Sequence, residues 1–109
     1  MSDLEKRQRA REFAVEAGGR VYTLRRPTAR ERLEQSAGTR LDQVRACVVG
    51  WNLTRLDLYP GGDASPAAFD AATWSDWLDD NPALWDPLMT ALEARLAAHD
   101  AALEAAEKN

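Results

Sequence analysis

The stretch Phe13-Ala-Val-Glu-Ala-Gly-Gly-Arg-Val-Tyr-Thr-Leu24 decides the fold of the N-terminal part of this chain. Its two adjacent glycines separate two runs of alternating apolar and polar residues, which is typical of a β-hairpin with a two-residue turn of positive φ. A register that pairs Ala17 with Arg20 leaves four apolar side chains on one face, namely Phe13, Val15, Tyr22 and Leu24. An isolated hairpin is not stable in water, so this face is predicted to pack against helices.

Helix start and stop signals dominate the rest of the chain. Thr28-Ala-Arg-Glu31 and Thr39-Arg-Leu-Asp42 have the pattern of capping boxes, Thr73-Trp-Ser-Asp76 is similar, and Gly50 is predicted to end the second helix. Asn81-Pro82 is predicted to start the last helix, with a fresh start or a kink at Asp86-Pro87 as the alternatives. The predicted elements are a hairpin over 12–26 and helices over about 28–37, 39–50, 73–80 and 82–106.

These elements predict a mainly α protein, in which an N-terminal β-hairpin packs on a small bundle of short helices with one longer C-terminal helix. Residues 12–109 are predicted to form one helical domain, and the charged residues 1–11 a flexible extension. Of the 109 residues, 20 are Ala and 13 are Leu, so the core depends on a few large side chains. Together with Phe13, Tyr22 and Leu24, the predicted core includes Val48 and Trp51, which we expect to be largely buried.

Charge is distributed unevenly along the chain, although the net charge is only −4. Residues 1–45 carry 11 Lys and Arg against 7 Asp and Glu, whereas residues 46–109 carry 3 against 11. Two solvated faces are one interpretation, and weak head-to-tail self-association of oppositely charged halves is another. The acidic balance and the lack of aromatic residues within a basic stripe argue against nucleic acid, and no apolar run is long enough for a membrane span.

Candidate catalytic and metal-binding residues are few, and each has a simpler interpretation. The single histidine, His99, falls on an apolar helical stripe without convergent partners, and Cys47 is predicted to be a buried thiol. The acidic residues Asp76, Asp79 and Asp80 do not have the spacing of a calcium loop. We therefore expect no enzyme activity, no cofactor and no metal.

The tryptophans are the most informative candidates for a binding site. Trp74 and Trp77 are three residues apart and so lie on the same side of a helix. Core filling is one interpretation, and a partly exposed anchor for a partner is the other, since tryptophan is enriched among residues that dominate interface energies. The predicted partner-binding set comprises Trp74, Trp77, Trp85, Leu88 and Leu92.

Three segments resemble the tail assembly chaperones of long-tailed bacteriophages. They are Val21-Tyr-Thr-Leu-Arg-Arg-Pro-Thr28, then Cys47-Val-Val-Gly-Trp-Asn52, and finally Ser65-Pro66 with Phe69, Trp74, Leu78 and Asp79-Asp-Asn-Pro-Ala-Leu84. The resemblance covers roughly residues 20–100. The Trp85-Asp-Pro87 interruption and the charged N-terminal extension depart from the family's pattern.

This resemblance implies a non-enzymatic assembly factor in the cytoplasm of a bacterial host, absent from the mature virion. Such a chaperone binds and solubilises the phage tape-measure protein and promotes tail-tube assembly. The resemblance also implies a translational frameshift, for which Glu107-Lys-Asn109 can be encoded with the run A AAA AAC. The longer product would recruit the tail-tube protein. A structural virion or connector subunit and a small regulatory binding protein are the alternatives.

Overall fold

The Gly18-Gly19 turn joins β1 (Glu12–Ala17) to β2 (Arg20–Arg25) in a computed structural model that describes residues 1–108. The φ angles of the two glycines are +58° and +78°, as required by the turn whose twist matches that of paired strands. Ala17 pairs with Arg20, and the rest of the predicted register follows from this pair, so the predicted hairpin is confirmed. Asn109, the last residue of the predicted frameshift segment, lies outside the described residues.

A third strand, β3 (Val48–Trp51), pairs antiparallel with β2 and makes β2 the central strand of the sheet. The predicted helix over 39–50 is therefore wrong at its end, because α3 (Arg40–Cys47) stops where β3 begins. Gly50 lies opposite Thr23 in the sheet and does not cap a helix. The β-branched and aromatic residues of β3 favour an extended chain, and pairing with β2 satisfies their backbone groups.

The other helices account for most of the remaining chain. They are α1 (Asp3–Ala10), α2 (Ala29–Gln35), α4 (Arg55–Leu58), α5 (Ala71–Asp80) and α6 (Trp85–Glu107), and a 3₁₀ turn over Pro82–Leu84 precedes α6. Thr28 and Thr39 each close a capping box, as predicted, and Thr54 closes one with Asp57 at the start of α4. Mainly helical architecture with an N-terminal hairpin and a long C-terminal helix is thus confirmed.

Two predictions about the ends of elements are wrong, and a third position matches one of its predicted alternatives. Residues 1–11 contain the helix α1, which a capping box between Ser2 and Glu5 stabilises locally although none of its residues is buried. Helix α5 starts at Ala71 and not at Thr73, because the Asp70 carboxylate accepts hydrogen bonds from the first free backbone N–H groups. Pro87 lies in the first turn of α6, as one alternative predicted, although α6 starts at Trp85 and Asp86 is not its cap. In the first turn, the missing N–H of proline leaves no hydrogen bond unmade.

The core lies between one face of the sheet and helices α3, α5 and α6. Its fully buried side chains come from all of these elements: Tyr22, Leu24, Val44, Leu53, Trp74, Leu78, Leu88 and Leu92. Helix α6 extends beyond this core, since every residue from 100 to 108 is exposed. None of the helices among residues 1–108 is both long enough and apolar enough to cross a membrane.

Candidate partner-binding surface

Three of the five predicted partner-binding residues lie in the core. Trp74, Leu88 and Leu92 are each at most 1% exposed, so the prediction that they face a partner is corrected. Trp74 also donates its indole N–H to the backbone carbonyl of Arg45 at 3.0 Å. Helical spacing places these residues on the same side of their helices, but the sheet and α3 cover that side.

The other two predicted residues, Trp77 and Trp85, are half-buried. Both indole N–H groups already donate hydrogen bonds within the chain. The Trp77 N–H donates to the Tyr22 hydroxyl at 3.0 Å, and the Trp85 N–H donates to the Leu78 carbonyl at 2.7 Å. Both rings pack against the core. They can therefore offer a partner only their outer edges, and not the deep insertion that makes an interface tryptophan a hot spot.

The residues predicted for the core separate into two groups. Tyr22, Leu24 and Val48 are buried, whereas Phe13 and Trp51 are partly buried and pack against the core from its margin. Trp51 donates its indole N–H to the Ala67 carbonyl at 2.9 Å. Its ring packs edge-to-face with the ring of Phe69, with 4.9 Å between the centroids. Trp51 therefore anchors the loop after α4. The expectation that Trp51 is largely buried is wrong.

A groove of about 480 Å³ runs between β1 and α6. We call this feature the β1–α6 groove; the strand supplies residues 13–16 and the helix supplies Ala91, Ala94, Arg95 and Ala98. The three alanines recur at helical spacing, so small side chains line the helical wall along two turns. Small side chains allow the backbone of another segment to approach α6 closely.

The strand side of the β1–α6 groove is an open sheet edge. β1 is the outer strand next to β2, and the two-residue turn makes Ala17 and Arg20 a hydrogen-bonded pair. Alternation along the hairpin then directs the backbone N–H and C=O groups of Ala14 and Glu16 away from β2. This edge can pair with an extended segment or be shielded by a packed helix.

The uneven charge of the sequence is partly matched inside the fold. Four ion pairs join the basic residues 1–45 to the acidic residues 46–109: Arg20–Asp57, Arg32–Asp100, Arg40–Glu93 and Arg45–Asp79. These pairs connect the sheet and helices α2 and α3 to α4, α5 and α6. Charges that could have met a neighbouring subunit are therefore partly used within one chain.

The candidate reactive side chains have ordinary structural surroundings. Burial raises the pKa of the Cys47 thiol to about 11, and a nearby carboxylate from Glu31 adds to this effect, so the thiol stays protonated at neutral pH. Among Asp76, Asp79 and Asp80, Asp79 accepts a hydrogen bond from Arg45 at 2.6 Å. Within residues 1–108, no group of three or more His, Cys, Asp or Glu side chains has the arrangement of a metal site.

Comparisons with protein-family models, with curated proteins and with solved structures found no match to this chain. The description of the β1–α6 groove therefore rests on the geometry of this chain alone. Its helical wall had a signal in the sequence, because Ala91, Ala94 and Ala98 share one helix face. That signal could not be distinguished from a solvated alanine face until the position of β1 was known.

Proposed function

We propose that this protein is a non-enzymatic tail assembly chaperone, which binds the phage tape-measure protein through the β1–α6 groove. The single observation that supports the proposal best is the groove itself, in which an open strand edge faces an alanine-lined helix wall. The resemblance of residues 20–100 to this chaperone family gives the partner. The groove gives a surface that fits a long helical chain.

The chemistry of the groove suits a partner that must be released later. Its apolar walls, formed by Phe13 and Val15 on one side and alanines on the other, can cover part of an apolar helical stripe. It is shallow and contains no buried tryptophan, so each copy would bind weakly. Many weakly bound copies along one tape measure would shield it from aggregation and still dissociate as tube subunits assemble.

The remaining parts of the proposal follow from the same role. The protein would act in the host cytoplasm and be absent from the mature virion. A longer, frameshifted form would bring the tail-tube protein to the tape measure, and the exposed end of α6 is where such an addition would begin. Neither nucleic acid nor membrane is a partner in this proposal.

Blocking the β1–α6 groove tests the proposal directly. We expect Ala94→Trp to fill the groove and to reduce co-purification of co-expressed tape-measure protein by about tenfold or more, equivalent to about 1.4 kcal/mol of binding free energy. The matched control is Ala97→Trp, which places the same side chain on an exposed position of α6 that does not line the groove.

Both variants must keep the wild-type melting temperature for the comparison to count. Equal recovery of the tape measure with Ala94→Trp and with Ala97→Trp would place the binding surface elsewhere. Retention of the protein in purified virions would favour the structural subunit over the chaperone.

A further inference from the structure

A basic cleft of about 300 Å³ continues the β1–α6 groove beyond Phe13. The two features share Arg95 and Ala98, so they form one track along α6. The polar lining of the basic cleft consists of Arg11, Arg26, Arg95 and His99.

The fold holds these side chains together through the end of the hairpin. Arg11 is the C-cap of α1, and its carbonyl accepts a hydrogen bond from the Arg26 backbone N–H at 2.9 Å. Arg95 and His99 are one turn apart on α6 and so face the same side. Three separate elements therefore contribute positive charge to one concave site.

The three guanidinium groups lack ion-pair partners. Arg11, Arg26 and Arg95 form no ion pair with any carboxylate of residues 1–108, whereas six other arginines do: Arg20, Arg25, Arg30, Arg32, Arg40 and Arg45. Arg95 lies over the Phe13 ring with its guanidinium carbon 4.4 Å from the centroid. The Nε of Arg11 is buried and has no hydrogen-bond partner within the described part of the chain.

The local electrostatics favour an incoming anion. Burial lowers the pKa of the Arg26 guanidinium, and the positive charges of Arg11 and Arg32 lower it further. Asp100 opposes this effect, but its carboxylate is already held by two hydrogen bonds from Arg32, at 2.8 and 3.3 Å. The carboxylate of Glu31 also interacts with Arg11, but it accepts a hydrogen bond from the Thr28 backbone N–H and forms no ion pair with the cleft. Arginine remains charged at neutral pH, so the cleft keeps three guanidinium groups without an ion-pair partner among residues 1–108.

We propose that the basic cleft binds a carboxylate side chain, Asp or Glu, carried by the same segment that occupies the β1–α6 groove. This inference rests on the proposed function and specifies the partner's chemistry: an apolar helical stripe flanked by an acidic residue at one end. Planar guanidinium groups match the two oxygens of a carboxylate.

A protein carboxylate fits this site better than a nucleic acid. The cleft is compact and opens into apolar walls, whereas nucleic acid needs a basic surface that follows several successive phosphates. The chain as a whole carries a net charge of −4, which also disfavours a polyanion. Binding of one carboxylate at the end of an apolar stripe would also determine in which of the two directions the partner segment runs along α6.

Two synthetic helical peptides with the same apolar stripe test the proposal. One ends in Glu-Glu and the other in Gln-Gln, and fluorescence anisotropy measures their affinities for the full chain at low ionic strength. We expect the Glu-Glu peptide to bind about tenfold more tightly, because hydrogen bonds to charged groups are the strong ones.

The preference should depend on the cleft and not on overall charge. We expect Arg11→Gln and Arg26→Gln, made separately, to reduce the preference to less than about threefold. Arg55→Gln is the matched control, because Arg55 is exposed, lies on α4 and forms no ion pair among residues 1–108. Thermal melting shows whether each variant is folded. One folded variant, Arg11→Gln or Arg26→Gln, is sufficient for the test.

Equal binding of both peptides to the wild-type protein would overturn the carboxylate proposal while leaving the groove intact. Failure of both peptides to bind would overturn it together with the groove. Displacement of the Glu-Glu peptide by a DNA duplex at equal concentration would also overturn it, since the cleft would then be part of a nucleic-acid surface.

Discussion

The indole N–H of Trp77 donates a hydrogen bond to the hydroxyl of Tyr22 across 3.0 Å, which ties α5 to the central strand of the sheet. Tyr22 is 1% exposed, so its hydroxyl has little access to water and depends on this partner. Burial raises the pKa of the Tyr22 hydroxyl, and the hydrogen bond from Trp77 opposes that shift. The hydroxyl oxygen of Tyr22 is therefore both packed within the core and held by a hydrogen bond.

Removing this hydroxyl should destabilise the fold modestly. We expect Tyr22→Phe to lower the free energy of unfolding by about 1–2 kcal/mol, because the half-buried Trp77 N–H would lose its acceptor. Urea unfolding of the two proteins measures the difference. Thr90→Val, a change on an exposed position of α6, is a control for the effect of removing any hydroxyl. An unchanged unfolding midpoint for Tyr22→Phe would show that the hydrogen bond contributes nothing.

The two tryptophans Trp74 and Trp51 should differ in their contribution to stability. Trp74 is 1% exposed, so Trp74→Ala is expected to cost about 3–5 kcal/mol and to leave little folded protein. Trp51→Ala removes a partly buried ring and one hydrogen bond to Ala67, so its cost should be smaller. Thermal melts followed by circular dichroism can rank the two variants, and the reverse order would contradict the placement of Trp74 in the core.

Stability should fall at alkaline pH through Cys47. Folding raises the pKa of the Cys47 thiol from 9.0 to about 11. Below pH 9 the thiol is neutral in both the folded and the unfolded state, so its contribution to stability is fully present. As pH rises from 9 towards 11, the unfolded chain ionises first, and the free energy of unfolding falls by about 1.4 kcal/mol per pH unit at most. Urea unfolding at several pH values measures this slope.

The control for this pH dependence is Cys47→Ala, which keeps Tyr22 and the other alkaline groups but has no thiol. Its free energy of unfolding should depend less on pH between 9 and 11 than that of the wild type. Parallel curves for the two proteins would rule out a contribution from the buried thiol. Native Cys47 should also react slowly with iodoacetamide at pH 8, where the unfolded protein reacts readily.

Self-association is expected to be weak and to depend on salt. Four ion pairs match the two charged parts of the sequence inside one chain, which leaves fewer charges for contacts between chains. The basic cleft remains unpaired and could meet the acidic surface of another copy. We expect sedimentation velocity to show dimers at about 0.05 M NaCl that disappear at about 0.5 M, because salt screens exposed charges. A dimer that persists at high salt would require an apolar interface.

Local signals in the sequence predicted local structure well. The turn at Gly18-Gly19 fixed the hairpin register because a two-residue loop allows one pairing, and Thr28 and Thr39 marked helix starts because their hydroxyls act within one turn. Helix α1 was missed, although Ser2 and Glu5 have the same capping pattern, because the segment has no apolar stripe to suggest packing. Local hydrogen bonds alone define that helix.

Non-local features could not be predicted in the same way. The run at Val48 and Val49 suits a helix end or a strand equally, and only pairing with β2 decides between them. Trp74 and Trp77 share a helix face, but their spacing does not reveal whether that face meets the core or a partner. The basic cleft requires Arg11, Arg26 and Arg95, which are up to 84 positions apart, to meet through the hairpin and α6.

The exposed end of α6 should exchange its amide hydrogens independently of the rest of the molecule. Residues 100–107 are helical but contribute no side chain to the core, so fraying of the helix opens their hydrogen bonds without disturbing the sheet. Amides between Leu88 and Leu96 lie over the core and exchange only when the whole fold opens. One continuous helix therefore contains two exchange regimes, and the boundary between them lies near His99.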